Sequence, residues 1–224
     1  MDFTNSGTIL KEFYSNKVFE GKFDEDIKYL ENAFVDINRI WFNNFNQIEE
    51  VKFLMIAEAP LWGEKNKYIY NPNTNNSQFF YRSDLEDVLK KPISDKKEFI
   101  KICNEMGLLI VDISPFALNL ENTAINYRKN KNNSQKLTEK EYRQLVSLTI
   151  PTYFAEKIKA VSKKKSKDIK VFFRYSRVKN SFEDLIAKEL INQNIIIKDV
   201  HSIGDISKRG SGINKDELGK MILK

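Results

Sequence analysis

The segment Ala57-Glu58-Ala59-Pro60 places a carboxylate on the turn that leaves a short apolar run, Val51-Lys52-Phe53-Leu54-Met55-Ile56. Held there by neighbouring backbone, such a group can take a proton from water or stabilise a developing cation; the same residue also suits a solvated loop. Downstream, Trp62, Tyr68, Tyr70, Phe79, Phe80 and Tyr81 share one long loop with Asn71, Asn73, Asn75 and Asn76. Rings supply stacking faces and amides read hydrogen-bonding edges, so this loop has the composition of a nucleobase pocket. Two more polar candidates follow apolar runs: Asp112 after Leu109-Ile110-Val111, and His201, the only histidine, after Ile195-Ile196-Ile197. His201 suits a proton donor, and equally a structural or exposed histidine.

The elements that must position these groups are legible as periodicity. Over residues 24–45 apolar side chains recur at helical spacing (Ile27, Leu30, Phe34, Ile37, Ile40, Trp41), and the pattern predicts a helix ahead of the first strand. Helices are also expected over residues 83–90, 95–106, 138–163 and 181–190, with Gly107 as a left-handed cap and an adjustment near Pro151. Residues 126–135 are Lys- and Asn-rich and read as a loop. Strands are expected at 51–56, 108–111, 169–173 and 195–197. Strands that alternate with helices predict an α/β fold, three-layer α/β/α, around a central, mostly parallel four-stranded sheet. One domain is expected over 1–224, with an N-terminal helical extension over about 1–48. Ligands of such sheets bind beyond the carboxyl ends of the strands, so the loops that begin at Ala57, Asp112, Arg174 and His201 should converge.

Composition narrows the chemistry. A chain of 224 residues, 41% hydrophobic, can bury one substantial core. Cys103 is its only cysteine, which excludes an intramolecular disulfide, a cysteine-ligated zinc and an iron–sulfur cluster, and no cofactor is expected. The net charge of +6 is compatible with a polyanionic partner. Lys157, Lys159, Lys163, Lys164, Lys165, Lys167 and Lys170 crowd the approach to the third strand, and Lys208 with Arg209 lies in a Gly-rich loop. Such a run suits a solvated helix face, or phosphate neutralisation if it borders a catalytic pocket. With no basic leader and no apolar stretch near 20 residues, a cytoplasmic protein without a membrane partner is expected.

Taken in order, these segments resemble the uracil-DNA glycosylase superfamily. Ala57-Glu58-Ala59-Pro60-Leu61 is similar to the family's Gly-Glu-Ala-Pro-Gly segment, and Phe79 or Phe80 to the phenylalanine that stacks on an extruded base. Leu109-Ile110-Val111-Asp112 resembles an apolar strand that ends in a base-reading Asn, with a carboxylate in place of the amide. The stretch from His201 to Gly210 resembles the family's His-Pro-Ser-Pro-type loop ending in Arg-Gly, without its prolines. The first glycine is replaced by Ala57, and the iron–sulfur cysteines of the Glu-Ala-Pro branch are missing.

The resemblance implies a monofunctional DNA glycosylase. Glu58 would activate water and stabilise the sugar cation, and His201 would donate to the departing base or a phosphate. Ala59, Pro60, Tyr70, Phe79, Phe80 and Asp112 would hold the base. DNA contacts would come from Lys163, Lys164, Lys165, Lys208 and Arg209, with Ile206 as a candidate wedge in the vacated stack, ordinary loop packing being the alternative that ranks ahead of it. An ionised Asp112 accepts hydrogen bonds only, so it fits the exocyclic amine of a cytosine and repels the O4 of uracil. The expected substrate is therefore a modified cytosine, such as glucosylated hydroxymethylcytosine in phage DNA. Asp112 as a helix N-cap is the structural alternative. The functional alternatives are a conventional uracil-DNA glycosylase with protonated Asp112, a non-catalytic DNA-binding module, and an N-glycosidase of free nucleotides.

Overall fold

The computed structural model describes residues 1–16, 20–62, 68–73, 82–118, 123, 125, 137–197, 203–208 and 212–223. In chain order its elements are α1 (Thr4–Ser15), α2 (Glu20–Gln47), β1 (Val51–Ala57), α3 (Arg82–Leu89), α4 (Lys96–Met106), β2 (Leu108–Asp112), α5 (Glu139–Thr149), a π-helical turn (Ile150–Phe154), α6 (Ala155–Val161), β3 (Lys165–Phe173), α7 (Ser176–Asn192), β4 (Gly204–Asp205), β5 (Ser207–Lys208), β6 (Gly212–Ile213) and α8 (Lys215–Ile222). Strands β2-β1-β3-β4 form one sheet, parallel throughout, with helices around it, as a three-layer α/β/α fold requires. A separate antiparallel pair joins β5 to β6.

Local chemistry sets most boundaries. Asp95 caps α4 by accepting from the Glu98 amide, and Thr138 and Glu141 form a reciprocal capping box on α5. Gly107 ends α4 at φ 75° and then accepts from the amides of Lys52 and Phe53, so one residue both stops the helix and ties β2 to β1. A Cβ there would lie 2.4 Å from the Glu50 carbonyl oxygen. Gly107→Ala should cost about 2 kcal/mol or more. Thermal melting checks it; a melting temperature within a degree of wild type would show that the turn relaxes freely.

At Pro151 the expected adjustment takes the form of the π-turn, which absorbs the missing amide and lets the helix run on as α6. The fourth strand differs from expectation. Ile195-Ile196-Ile197 is not a strand; Ile195 and Ile196 are buried just after α7, and the Ile195 amide bonds to the Leu190 carbonyl. The edge position is taken by Gly204–Asp205, in register with Phe172 and Phe173. Close approach explains the glycine: a Cβ at 204 would meet the Phe172 Cβ at 3.2 Å and the Met221 methyl at 2.4 Å. The opposite edge, β2, is closed by side chains. Tyr70 Oη accepts from the Ile110 amide at 2.6 Å, and Trp41 Nε1 donates to the Ile110 carbonyl at 2.9 Å.

Candidate functional site

Parallel register places the first two candidate carboxylates side by side. Ala57 pairs with Asp112, so Glu58 stands one residue beyond the end of β1, beside the end of β2. The ladder continues past both strands: Ile113 and Ser114 donate to the carbonyls of Ala57 and Glu58, and Arg174 donates to Ile56. Pro60 accepts from Leu118, which fixes the turn through Ala59 and Pro60; Pro60 is buried and Ala59 half-buried.

The Glu58 side chain is 5% exposed and forms an ion pair with Arg177, from the first turn of α7, whose Nε donates to Oε2 at 2.5 Å. Burial pushes its carboxyl pKa up; Arg177 opposes most strongly, followed by a hydrogen bond from Tyr142 and the charge of Arg143. A cavity of about 20 Å³, enough for a single water, adjoins it and is lined by Glu58, Glu139, Tyr142, Arg143, Arg177, Ser181 and Phe182.

Asp112 is also buried, and its Oδ2 has no hydrogen-bond partner among the described residues. Residues 113–118 form no helix, which removes the N-cap alternative. Its carboxyl is pushed above the ordinary range by burial, with Lys157 opposing and the charge of Glu58 adding to the rise. Lys157 is fully buried on α6, donates from Nζ to Tyr153 Oη at 2.6 Å, and lies over the rings of Trp41 and Tyr153 at 4.7 and 4.6 Å. Burial pulls its ammonium below the usual lysine range, against the attraction of Asp112. From the third strand end, Arg174 donates to the Gly212 carbonyl at 2.9 Å and covers one side of the Tyr175 ring.

Several expected contacts lie elsewhere. Ile206 is fully buried, donates to Phe173 and accepts from Asn214; it is a core residue that extends the β4 pairing and is not an exposed wedge. Tyr70 has its hydroxyl committed to the edge of β2, so it buttresses the strand below Asp112 and does not offer its hydroxyl to a base. Lys163, Lys164 and Lys165 sit where β3 begins; Lys165 pairs with Val51 and Phe173 with Ile56, which puts these lysines about 17 Å from the site-bearing end of the strand. Lys164 Nζ donates there to the carbonyls of Phe45, Asn46 and Ile48 at the end of α2, the role of a C-terminal cap. Lys164 and Lys165 border a wide groove of about 1420 Å³ at the opposite end of the sheet from Glu58. Lys208 is exposed on β5. Phe79, Phe80, His201 and Arg209 lie outside the described residues.

Sequence reasoning passed over Arg177, Tyr142, Tyr153 and the burial of Lys157. The last had a readable signal, since residues 153, 157 and 161 share one helix face and both Tyr153 and Val161 are buried. No such pattern points to Arg177, which meets Glu58 across 119 residues of sequence.

Among the described residues no group of three or more His, Cys, Asp or Glu could hold a metal ion, and no helix is long and apolar enough to cross a membrane. Comparison with family models, curated proteins and solved structures finds no match.

Proposed function

We propose that the chain is a monofunctional DNA glycosylase that hydrolyses the N-glycosidic bond of a base extruded from DNA, with a modified cytosine as its substrate. The observation that carries this reading is the placing of two buried carboxylates, Glu58 and Asp112, at adjacent strand ends, with one oxygen of Asp112 left without a hydrogen-bond partner among the described residues. They occupy the two positions to which the glycosylase resemblance assigns water activation and base reading. Glu58 accepts the proton of the attacking water and stabilises positive charge on the sugar as the C1′–N bond breaks. The water oxygen adds to C1′, the departing nitrogen takes up a proton, and the products are free base and an abasic site. Asp112 Oδ2 accepts from the exocyclic amine, an interaction worth about 1–3 kcal/mol against a keto base.

The test is incubation with duplexes that carry uracil, hydroxymethylcytosine or glucosylated hydroxymethylcytosine, read as alkali-labile abasic sites. Release from a modified cytosine supports the reading. No release from any of them by folded protein overturns it, and salt-sensitive binding without release identifies a non-catalytic module instead.

The raised carboxyl of Asp112 favours one second reading, the conventional uracil enzyme. Once protonated, Asp112 gains a donor and suits the O4 of uracil. The ratio of cytosine-type to uracil-type release should therefore fall as pH is lowered. A ratio flat from pH 8 to pH 5 would remove Asp112 as the reader of the base.

A further inference from the structure

Glu58 has to be a carboxylate to take the proton of water, yet its burial favours the neutral acid. It is buried at a strand end and stands beside Asp112, a second carboxyl group. Glu139 faces the same small cavity from α5. The groups that oppose neutralisation are Arg177 on α7, with Tyr142 and Arg143 on α5.

Arg177 differs from the other two in how it is held. Its Nε and Nη2 both reach Glu58 Oε2, so the guanidinium fixes the direction of the carboxylate as well as its charge. The guanidinium is itself placed twice over, by the first turn of α7 and by the Tyr175 ring 5.0 Å from its centre. It is 37% exposed, against 5% for Glu58, so the cation stays hydrated while its partner does not. The arrangement resolves a conflict: a low-dielectric surrounding strengthens what a carboxylate does to a developing cation, but it also tends to protonate that carboxylate.

We infer that Arg177 is the positioning residue of this site, holding Glu58 ionised and aimed within surroundings that would otherwise neutralise it. The inference rests on the reading of Glu58 as the group that activates water. Arg177 touches no reacting atom; it acts through Glu58.

The test follows the side-chain carboxyl resonance of Glu58 by carbon-detected NMR, assigned by its absence in Glu58→Gln, in wild type, Arg177→Lys and Arg177→Gln. In parallel, single-turnover base release is measured against pH. In Arg177→Gln the carboxyl should titrate at higher pH than in wild type, and the rate at the acid end should fall at least about tenfold further relative to its alkaline plateau. Arg177→Lys retains a charge at one point and should lie between the two. It carries the test if the glutamine variant does not fold, because its titration moves in the same direction. A purely structural role would lower the rate equally at every pH.

Identical Glu58 titrations in wild type and the variants overturn the inference whether or not any base is released. A shifted titration with no release by wild type leaves the inference standing and overturns the glycosylase reading alone.

Discussion

Glu58→Gln should lower base release by about 10²- to 10⁴-fold, the range for removal of a positioned general base, while at neutral pH the variant melts no lower than wild type. The second half follows from the sign of the shift. Burial raises the folded pKa of Glu58 above its unfolded value, so the folded state binds more protons in the window between them. Stability contributed by this residue is therefore present at low pH and is lost as pH rises out of the ordinary carboxylate range. Glutamine imitates the neutral form and removes that loss. It leaves Arg177 without its ion-pair partner, but a guanidinium 37% exposed can be hydrated. Activity lost together with a large drop in melting temperature would mean that Glu58 is a structural strut. Retained release would remove its catalytic role altogether. The combination expected here, an inactive variant at least as stable as wild type, is the behaviour of a group kept at a thermodynamic cost for its chemistry.

What the sequence disclosed about this arrangement depends on whether the cause is local. β1, β2 and the capped ends of α4 come from apolar runs and from Asp95 and Gly107, whose effects act within a few residues. Glu58 and Asp112 were placeable for the same reason, because a strand end is a local event and parallel register then brings the two together. β4 was not, since a two-residue edge strand exists only through its partners Phe172 and Phe173, while in the more strand-like Ile195-Ile196-Ile197 the first two side chains are buried just after α7 and the third is exposed. Charge misled more than hydrophobicity did. The lysines from 157 to 170 read as one basic run, yet Lys157 lies in the core beneath Asp112 and Lys164 caps α2 at the far end of the sheet. A run of like residues along a chain is a cluster in space only when the backbone does not turn or extend beneath it, and here it passes from α6 into nine residues of β3.

Lys157→Met should destabilise the core. Methionine fills much the same volume, so little packing is lost; what remains is Asp112, buried and without its counter-charge. The two groups act on each other through space, without an ion-pair contact, so leaving a buried group without its electrostatic partner costs about 1–3 kcal/mol, and at about 2–4 °C per kcal/mol the melting temperature should fall by roughly 5 °C. Adding Asp112→Asn should recover most of that loss, because the double variant carries no charge at either of these two positions, whereas two independent losses would add. The pH dependence separates this from a packing effect. Asp112 has a raised folded pKa, so its contribution falls as pH rises out of the carboxylate range; Lys157 has a lowered one, so the unfolded chain binds the extra proton and stability is regained as pH climbs toward the ordinary lysine range. Wild type minus double variant should thus pass through a minimum between the two windows. If the double variant is no more stable than Lys157→Met, or the difference is flat with pH, the two groups are not a coupled pair. In that case the ionisation of Asp112, and with it the choice between an amine and a keto base, is set by burial alone.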